Sequence, residues 1–158
     1  MSNPMARKRL PIGVSSFSRI RERGYYYVDK TPLIIQLLMT SDYIFLSRPR
    51  RFGKSLTIDT IAELFSGTKK LFTGLYAENH WDWDDVYPVI RLSFAGEPEQ
   101  GKVEALRERI AKSLRRNAML LGVTLDDQTL ARDLGLAFED LIYSTEQKYG
   151  KQVVVLVD

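Results

Sequence analysis

Apolar residues along the chain fall into two patterns. Residues 43–46, 89–94 and 153–157 are short β-favouring runs, typical of strands in a mostly parallel sheet. Elsewhere apolar residues recur at three- and four-residue steps, which predicts amphipathic helices. The order strand, helix, strand, helices, strand, joined by right-handed crossovers, predicts a three-layer α/β sandwich.

The predicted helices in the first half of the chain have recognisable ends. A short helix over residues 17–23 ends at Gly24. A second begins near Asp29 or Thr31, either of which can cap it, and Pro32 suits its first turn. A third, buried helix has a regular apolar face and ends before a glycine; the residues concerned are Leu56, Ile58, Ile61, Leu64, Phe65 and Gly67.

The second half of the chain predicts two further helical stretches. Residues 103–118 place apolar side chains on one face and mixed charges on the other. A later stretch begins near Asp127, is interrupted at Gly135, resumes to Tyr149 and ends at Gly150. These helices lie between the second and third predicted strands, as expected for a parallel crossover.

Segment 78–85 is a candidate for cation binding, because it contains His80 and three aspartates. The alternative is an ordinary solvated loop in which Trp81 and Trp83 anchor the chain to the core. We favour this second interpretation, because no regular ligand spacing accompanies the acidic residues.

Composition narrows the class of protein. The chain has 158 residues, of which 44% are hydrophobic, so it predicts one domain with one core. It has no cysteine and one histidine, which excludes disulfides and the usual zinc sites. Its longest apolar runs are about five or six residues, too short to span a membrane, and no signal-peptide pattern opens the chain. We therefore expect a cytoplasmic protein with a disordered tail over residues 1–9 and a single α/β unit over 10–158.

Charge alone does not indicate a nucleic-acid partner. The net charge is +3, from 23 basic and 20 acidic residues. Basic residues cluster at 7–9, at 48–51 and at 115–116, and all three could bind phosphates. A basic N-terminal tail is more often simply solvated, and Arg50 and Arg51 are explained at least as well by nucleotide contact or by a salt bridge within the domain as by DNA.

The most informative motif follows the first predicted strand. Residues 47–55 read Ser-Arg-Pro-Arg-Arg-Phe-Gly-Lys-Ser and lead into the third helix. A strand that delivers Gly53, Lys54 and Ser55 into a helix N-terminus is typical of a phosphate-binding P-loop. Asp158, directly after the last predicted strand, then provides a carboxylate for a Walker B-like magnesium contact.

The motif departs from the general P-loop pattern at one position. That pattern has glycine where this chain has Arg48. Pro49 partly compensates, because its fixed φ turns the chain out of the strand.

The chain resembles the AAA-ATPase-like family of microbial P-loop proteins. The resemblance rests on residues 10–15 with 25–31, on the loop 48–55 and on the strand 88–94, and it runs through nearly the whole sequence. Arg48 fits the family's version of the loop. The resemblance implies ATP binding, further strands after Asp158, and in many members a later nuclease-like domain, so the sandwich is expected to be incomplete here.

The combined reading assigns roles to individual residues. Amides near Gly53 would hold phosphate, Lys54 would contact the β and γ phosphates, and Ser55 with Asp158 would bind Mg²⁺. The resemblance also implies a base pocket near Val28, although residues 25–27 fit a half-buried strand equally well. The full set of predicted nucleotide-binding residues is Arg50, Arg51, Phe52, Gly53, Lys54, Ser55, Leu56, Val28 and Asp29.

The resulting hypothesis is an ATP- and Mg²⁺-binding P-loop domain from an ATPase. The alternative is a non-catalytic nucleotide-sensing or protein- or nucleic-acid-interaction module. The residue that follows Asp158 would separate them: glutamate favours hydrolysis and an apolar residue favours sensing. No guanine-reading Asn-Lys-x-Asp motif is present, which favours ATP over GTP.

Overall fold

The computed structural model describes residues 8–47, 49, 52–94 and 103–158. The chain divides into two compact units, residues 1–85 and 86–158. The described part has the helix and strand content of an α/β protein, with a small parallel sheet in the second unit. None of its helices has both the length and the apolar character needed to cross a membrane.

The first unit is helical in its described part. Its elements are α1 (Phe17–Glu22), α2 (Thr31–Leu38), α3 (Lys54–Phe65), a 3₁₀ helix (Lys69–Phe72) and α4 (Ala77–His80). The predicted helices after Ser16, Lys30 and Gly53 are confirmed, as are the glycine ends at Gly24 and Gly67, which both have positive φ. Buried apolar side chains from all five elements make the core: Phe17, Ile20, Ile34, Ile35, Ile61, Ala62, Leu64, Phe72 and Ala77.

The first predicted strand is not a strand in the structure. Residues 43–46 have no strand assignment, and the side chains of Tyr43 and Phe45 are each 93% exposed. The Ser41 hydroxyl instead makes a local turn, donating to the Tyr43 carbonyl oxygen at 2.9 Å and accepting from its amide at 3.2 Å. The β-favouring residues alone are insufficient, because a strand needs a neighbour for its backbone groups and none of the described residues supplies one.

The second unit contains the sheet. Its elements are β1 (Val89–Leu92), α5 (Val103–Leu121), α6 (Asp127–Arg132), α7 (Leu134–Tyr149) and β2 (Val154–Val157). The two strands pair in parallel, with Val89 opposite Val154 and Leu92 opposite Val157. Parallel pairing of these two predicted strands, with helices between them in sequence, confirms an α/β arrangement, and the strand that precedes Asp158 pairs with β1.

Apolar side chains from the strands and helices of the second unit share one core. Ile90 of β1, Leu114 of α5 and Leu141 of α7 are fully buried in it. The remaining buried members are Leu92, Ala118, Leu121, Leu130 and Ala137. The predicted apolar face of residues 103–118 is confirmed in its C-terminal part, where Ile110, Leu114 and Ala118 belong to this core, whereas Val103 and Leu106 are 67% and 48% exposed.

A buried side-chain amide closes one edge of β1. The Asn117 Oδ1 atom accepts the Arg91 amide at 2.9 Å, and Asn117 Nδ2 donates to the Arg91 carbonyl oxygen at 2.9 Å. Asn117 Nδ2 also donates to the Ser113 carbonyl oxygen at 2.8 Å. Asn117 therefore pairs with Arg91 as the backbone of a neighbouring strand would.

The break between α6 and α7 lies at Asp133, so the predicted interruption at Gly135 is wrong. Asp133 has an extended backbone, and its Oδ1 atom accepts the amides of Gly135 at 2.9 Å and of Leu136 at 3.1 Å. Gly135 belongs to the first turn of α7. The capping carboxylate sets the start of the helix here, because it satisfies amides that have no partner within the helix.

The C-terminus of α5 is held by two side chains of α7. Lys148 Nζ donates to the carbonyl oxygens of Leu121 and Gly122, both at 2.9 Å, and the Tyr149 hydroxyl donates to the Leu121 carbonyl oxygen at 3.2 Å. Gly122 has a φ of +64°, and a Cβ added there would lie 2.4 Å from Lys148 Nζ. A glycine is favoured at this turn, because it adopts the left-handed backbone without the strain that a side chain would cause.

Candidate functional site

The N-terminus of α3 follows a left-handed glycine. Gly53 has a φ of +77°, and no atom lies within 4 Å of a Cβ added there. The Phe52 amide donates to the Pro49 carbonyl oxygen at 3.4 Å, which closes a turn before the helix. The first helical bond runs from the Thr57 amide to the Gly53 carbonyl oxygen at 2.9 Å. Gly53 thus redirects the chain from the turn into α3, which an L-residue with a side chain does less readily.

This helix start leaves backbone donors available. The amides of Lys54, Ser55 and Leu56 precede the first helical bond, and they have no acceptor among the described residues. A helix N-terminus also carries a partial positive charge. Open space at Gly53, available amides and the helix dipole together make this end of α3 suited to an anion.

The side chains at this end have the chemistry that the sequence predicts. Lys54 and Ser55 are the first two residues of α3, and both are half-buried. Within the described part of the chain, neither the Lys54 ammonium nor the Ser55 hydroxyl has a polar side-chain partner. Phe52 is 63% exposed and Leu56 is half-buried. The predicted contacts of Arg50 and Arg51, and the position of Arg48, lie outside the described residues.

A hydrogen bond to α1 fixes the start of α3 within the first unit. The buried Asp59 carboxylate accepts the amide of Phe17, the first residue of α1, at 2.5 Å. The Thr60 hydroxyl donates within α3 itself, to the Leu56 carbonyl oxygen at 2.8 Å. Asp59 lies within two turns of Lys54, so its bond to Phe17 holds the start of the helix against α1.

Tyr27 is held as a neutral phenol. Burial raises its pKa above the ordinary value, and the nearby Asp29 carboxylate adds to this rise. The Thr60 hydrogen bond and the charge of Arg21 oppose the rise. The Tyr27 ring also meets the Phe17 ring edge-on, with centroids 5.0 Å apart. Tyr27 is thus partly buried against Phe17, but residues 25–27 form no strand and Tyr26 is 52% exposed, so the predicted half-buried strand is wrong.

The predicted base-pocket residues have different environments. Val28 is exposed. Asp29 Oδ1 accepts the Thr31 amide at 2.9 Å and the Thr31 hydroxyl at 2.7 Å, and Asp29 Oδ2 accepts the Tyr76 amide at 2.7 Å. The N-cap of α2 is Lys30, so the predicted cap at Asp29 or Thr31 is wrong; Asp29 instead bonds Thr31, the first helical residue, and joins it to the residue before α4. Its nucleotide contact stays a prediction.

Asp158 directly follows β2. Its amide donates to the Leu92 carbonyl oxygen at 2.9 Å, and its carbonyl oxygen accepts the Phe94 amide at 2.8 Å. The carboxylate has no partner among the described residues. Ser55 and Asp158 belong to different units, and their joint coordination of Mg²⁺ stays a prediction.

Asp59 is the important residue that the sequence analysis missed. It lies on α3 between the apolar residues Ile58 and Ile61, and only 7% of its surface is exposed. A carboxylate on the apolar face of a helix requires a hydrogen-bond donor opposite it, and this was the available signal.

Residues 78–80 belong to α4, so the predicted loop over 78–85 is wrong there, and residues 81–85 form a loop that is anchored to the core. Trp81 Nε1 donates to the Leu64 carbonyl oxygen at 3.1 Å, and Trp83 Nε1 donates to the Glu78 carbonyl oxygen at 3.0 Å. The Trp81 ring packs edge-on against Phe65, and the Trp83 ring packs against Phe72. Across the described ranges no group of three His, Asp or Glu side chains could hold a metal ion. The predicted anchoring by the two tryptophans is confirmed.

Comparison with known proteins gives a family and a relative. Residues 11–158 match the AAA-ATPase-like family, described as Predicted AAA-ATPase. A protein of Azotobacter chroococcum mcd 1, described as an uncharacterized protein in the vnfD 5′ region, is 45% identical over 155 residues. The match covers 98% of this chain and 29% of that protein. No solved structure matches the chain.

Proposed function

The chain belongs to the AAA-ATPase-like family, and on this premise we propose that it is an ATP- and Mg²⁺-binding P-loop domain of an ATPase. Residues 1–9 would be a tail, and residues 10–158 would be the N-terminal portion of a three-layer sandwich. In that sandwich, residues 43–46 would form a strand once a neighbouring strand is present.

The observation that carries the proposal is the start of α3. Three consecutive amides without acceptors among the described residues follow a left-handed glycine, and the next side chains are lysine and serine. A neutral ligand would use the amides but would leave the Lys54 ammonium without a counter-charge. A polyphosphate matches both, because its oxygens accept from the amides and its charge is opposite to that of the lysine.

The residues at this end have complementary tasks. The amides of residues 53–56 would donate hydrogen bonds to the phosphate oxygens, and the Lys54 ammonium would neutralise the β and γ phosphates. Arg50, Arg51 and Phe52 would flank the phosphates. Asp59 would keep the helix start in place through its bond to the Phe17 amide.

Oxygen donors suited to magnesium come from two residues. Ser55 supplies a hydroxyl and Asp158 a carboxylate, and hard oxygen ligands of this kind are those that Mg²⁺ prefers. When bound, Mg²⁺ would neutralise part of the negative charge of the phosphates. The Asp158 carboxylate is suited to this role because it has no partner in the described part of the chain.

Nucleotide binding should depend strongly on Lys54. We expect Lys54→Ala to weaken binding of a fluorescent ATP analogue in the presence of Mg²⁺ by at least about tenfold, because the main counter-charge of the phosphates is lost. Lys69→Ala is the matched control, since Lys69 is an exposed lysine of the same unit on a different element. Equal affinity of wild type and Lys54→Ala would contradict the proposal, as would a wild type that is folded by circular dichroism but does not bind.

The magnesium contact has its own test. Asp158→Asn keeps the size of the side chain and removes its charge. We expect this variant to lose most of the difference between ATP-analogue affinities measured with Mg²⁺ and with EDTA. A magnesium dependence equal to that of the wild type would remove Asp158 from the site while leaving the Lys54 result intact.

A further inference from the structure

A cleft lies between α5 and α6 in the second unit. Its volume is about 290 Å³, close to the lower end of the range of about 300–1,000 Å³ for small-molecule pockets. One side of the cleft is a single face of α5, because its lining residues Glu104, Glu108, Ala111 and Arg115 recur at three- and four-residue steps. The other side comes from α6 and from the start of α7. The cleft shares no residue with the start of α3.

The floor of the cleft is apolar. Leu130 of α6 is only 2% exposed and belongs to the core of the second unit. Ala111 of α5 and Leu134 of α7 are half-buried and pack against the same core. A ligand with an apolar part would cover the remaining exposed surface of these side chains, which is favourable in water.

The two arginines of the cleft are already bonded to α6. Arg107 Nη2 donates to the carbonyl oxygen of Arg132, the last residue of α6, at 3.2 Å. Arg115 donates from Nε and Nη2 to Oδ1 of Asp127, the first residue of α6, at 3.3 and 3.1 Å. The two guanidinium groups therefore hold both ends of α6 against α5, and the Arg115 charge is matched by a carboxylate.

The two glutamates of the cleft have no such bonds. Glu104 and Glu108 are exposed, and neither carboxylate has a hydrogen bond or an ion pair with any residue of the described ranges. They lie four residues apart on one helix, where two like charges repel each other. A cation between them would relieve this repulsion and would donate to their oxygens. The rim beside the apolar floor thus offers acceptors that carry negative charge.

We propose that this cleft binds a small organic cation with an apolar chain, of the class of an aliphatic primary amine. The ammonium group would donate to the Glu104 and Glu108 carboxylates, and the chain would cover Ala111 and Leu134. An anion of the same shape is disfavoured, because both carboxylates would repel it and both guanidinium groups are bonded to α6. A neutral molecule of the same shape would cover the floor but would provide no counter-charge.

Three ligands with the same six-carbon chain test the proposal, namely hexylamine, hexanol and hexanoate. Each is titrated at neutral pH into the ¹⁵N-labelled protein, and the backbone amide shifts of residues 104–115 and 130–134 are followed by NMR. We expect hexylamine to give saturable shifts in these two segments. Hexanol and hexanoate should bind at least about tenfold more weakly, because only the amine pairs with the carboxylates.

Variants of the glutamates identify the groups that hold the ammonium. Glu104→Gln and Glu108→Gln keep the size of the side chain and remove its charge, and each should weaken hexylamine binding by about fivefold or more. Glu139→Gln, at an exposed position of α7, is the matched control and should leave the affinity unchanged. A loss in either cleft variant supports the proposal. Absence of saturable shifts with hexylamine, equal affinity for hexanol or hexanoate, or unchanged affinity in both cleft variants would overturn it.

Discussion

Replacing Asn117 with leucine is expected to lower the free energy of unfolding of the second unit by about 2–5 kcal/mol. The new side chain fills similar space but offers neither donor nor acceptor. The Arg91 amide and carbonyl oxygen then lose the partners that they have at 2.9 Å. A backbone group that loses its hydrogen bond in a partly buried setting keeps part of its desolvation penalty, and here two such groups are affected together.

Urea unfolding followed by far-ultraviolet circular dichroism measures this loss, because the helices and strands of the second unit contribute to that signal. Arg116→Leu is the matched control. It also introduces a leucine, one residue away and at an exposed position, where the free energy of unfolding is expected to fall by about 0.5 kcal/mol or less. A loss from Asn117→Leu as small as that of the control would mean that water replaces the amide without penalty.

Asp59→Ala is expected to destabilise the first unit by about 2–4 kcal/mol. The carboxylate accepts the amide of Phe17, which is fully buried, so that amide is left without its acceptor. The substitution also leaves a small void on the apolar face of α3. Asp59→Asn keeps a carbonyl oxygen at the same position and should lose distinctly less, because a neutral acceptor still satisfies the amide.

Tryptophan fluorescence is the appropriate measurement for Asp59→Ala. Both tryptophans of the chain, Trp81 and Trp83, lie in the first unit, and both indoles are hydrogen-bonded and packed against phenylalanines. Asp84→Ala, at an exposed position of the same unit, should leave the urea midpoint nearly unchanged. An Asp59→Ala midpoint equal to the wild type would show that α1 and α3 pack without this bond.

The helices could be predicted from the sequence because their signals are local. The apolar face and glycine end of α3 need only the neighbouring residues, and the same is true of the ends of α1 and α7. The break at Asp133 was misplaced to Gly135 because the low helix propensity of glycine was given more weight than a capping carboxylate two residues earlier. The side-chain bonds to Gly135 and Leu136 decide the boundary.

Two of the three predicted strands form in the described part of the chain, because strand pairing depends on residues that are distant in sequence. Residues 89–92 and 154–157 pair in parallel and form the sheet. Residues 43–46 have an equally favourable composition, but no described segment pairs with them. The composition of a segment indicates only that it tolerates the extended conformation. Whether the segment forms a strand depends on a neighbouring strand that pairs with it.

The candidate site divides in the same way. The glycine, lysine and serine at the start of α3 follow from one contiguous motif, and the structure places them together. The contact that holds them, from Asp59 to Phe17, joins residues far apart in sequence. No local pattern reports such contacts, although the isolated aspartate on an apolar face was a sign that one existed.

The pairing of Asn117 with Arg91 also determines at which edge the sheet can accept a further strand. A further strand cannot pair with β1 at Arg91, because the Asn117 side chain already bonds both the amide and the carbonyl oxygen of Arg91. On β2, Val154 and Asp158 turn their amides toward β1, so Val155 and Val157 turn theirs outward. β1 is therefore a terminal strand, and lengthening of this sheet, whether by the protein itself or by unwanted self-association, proceeds from β2.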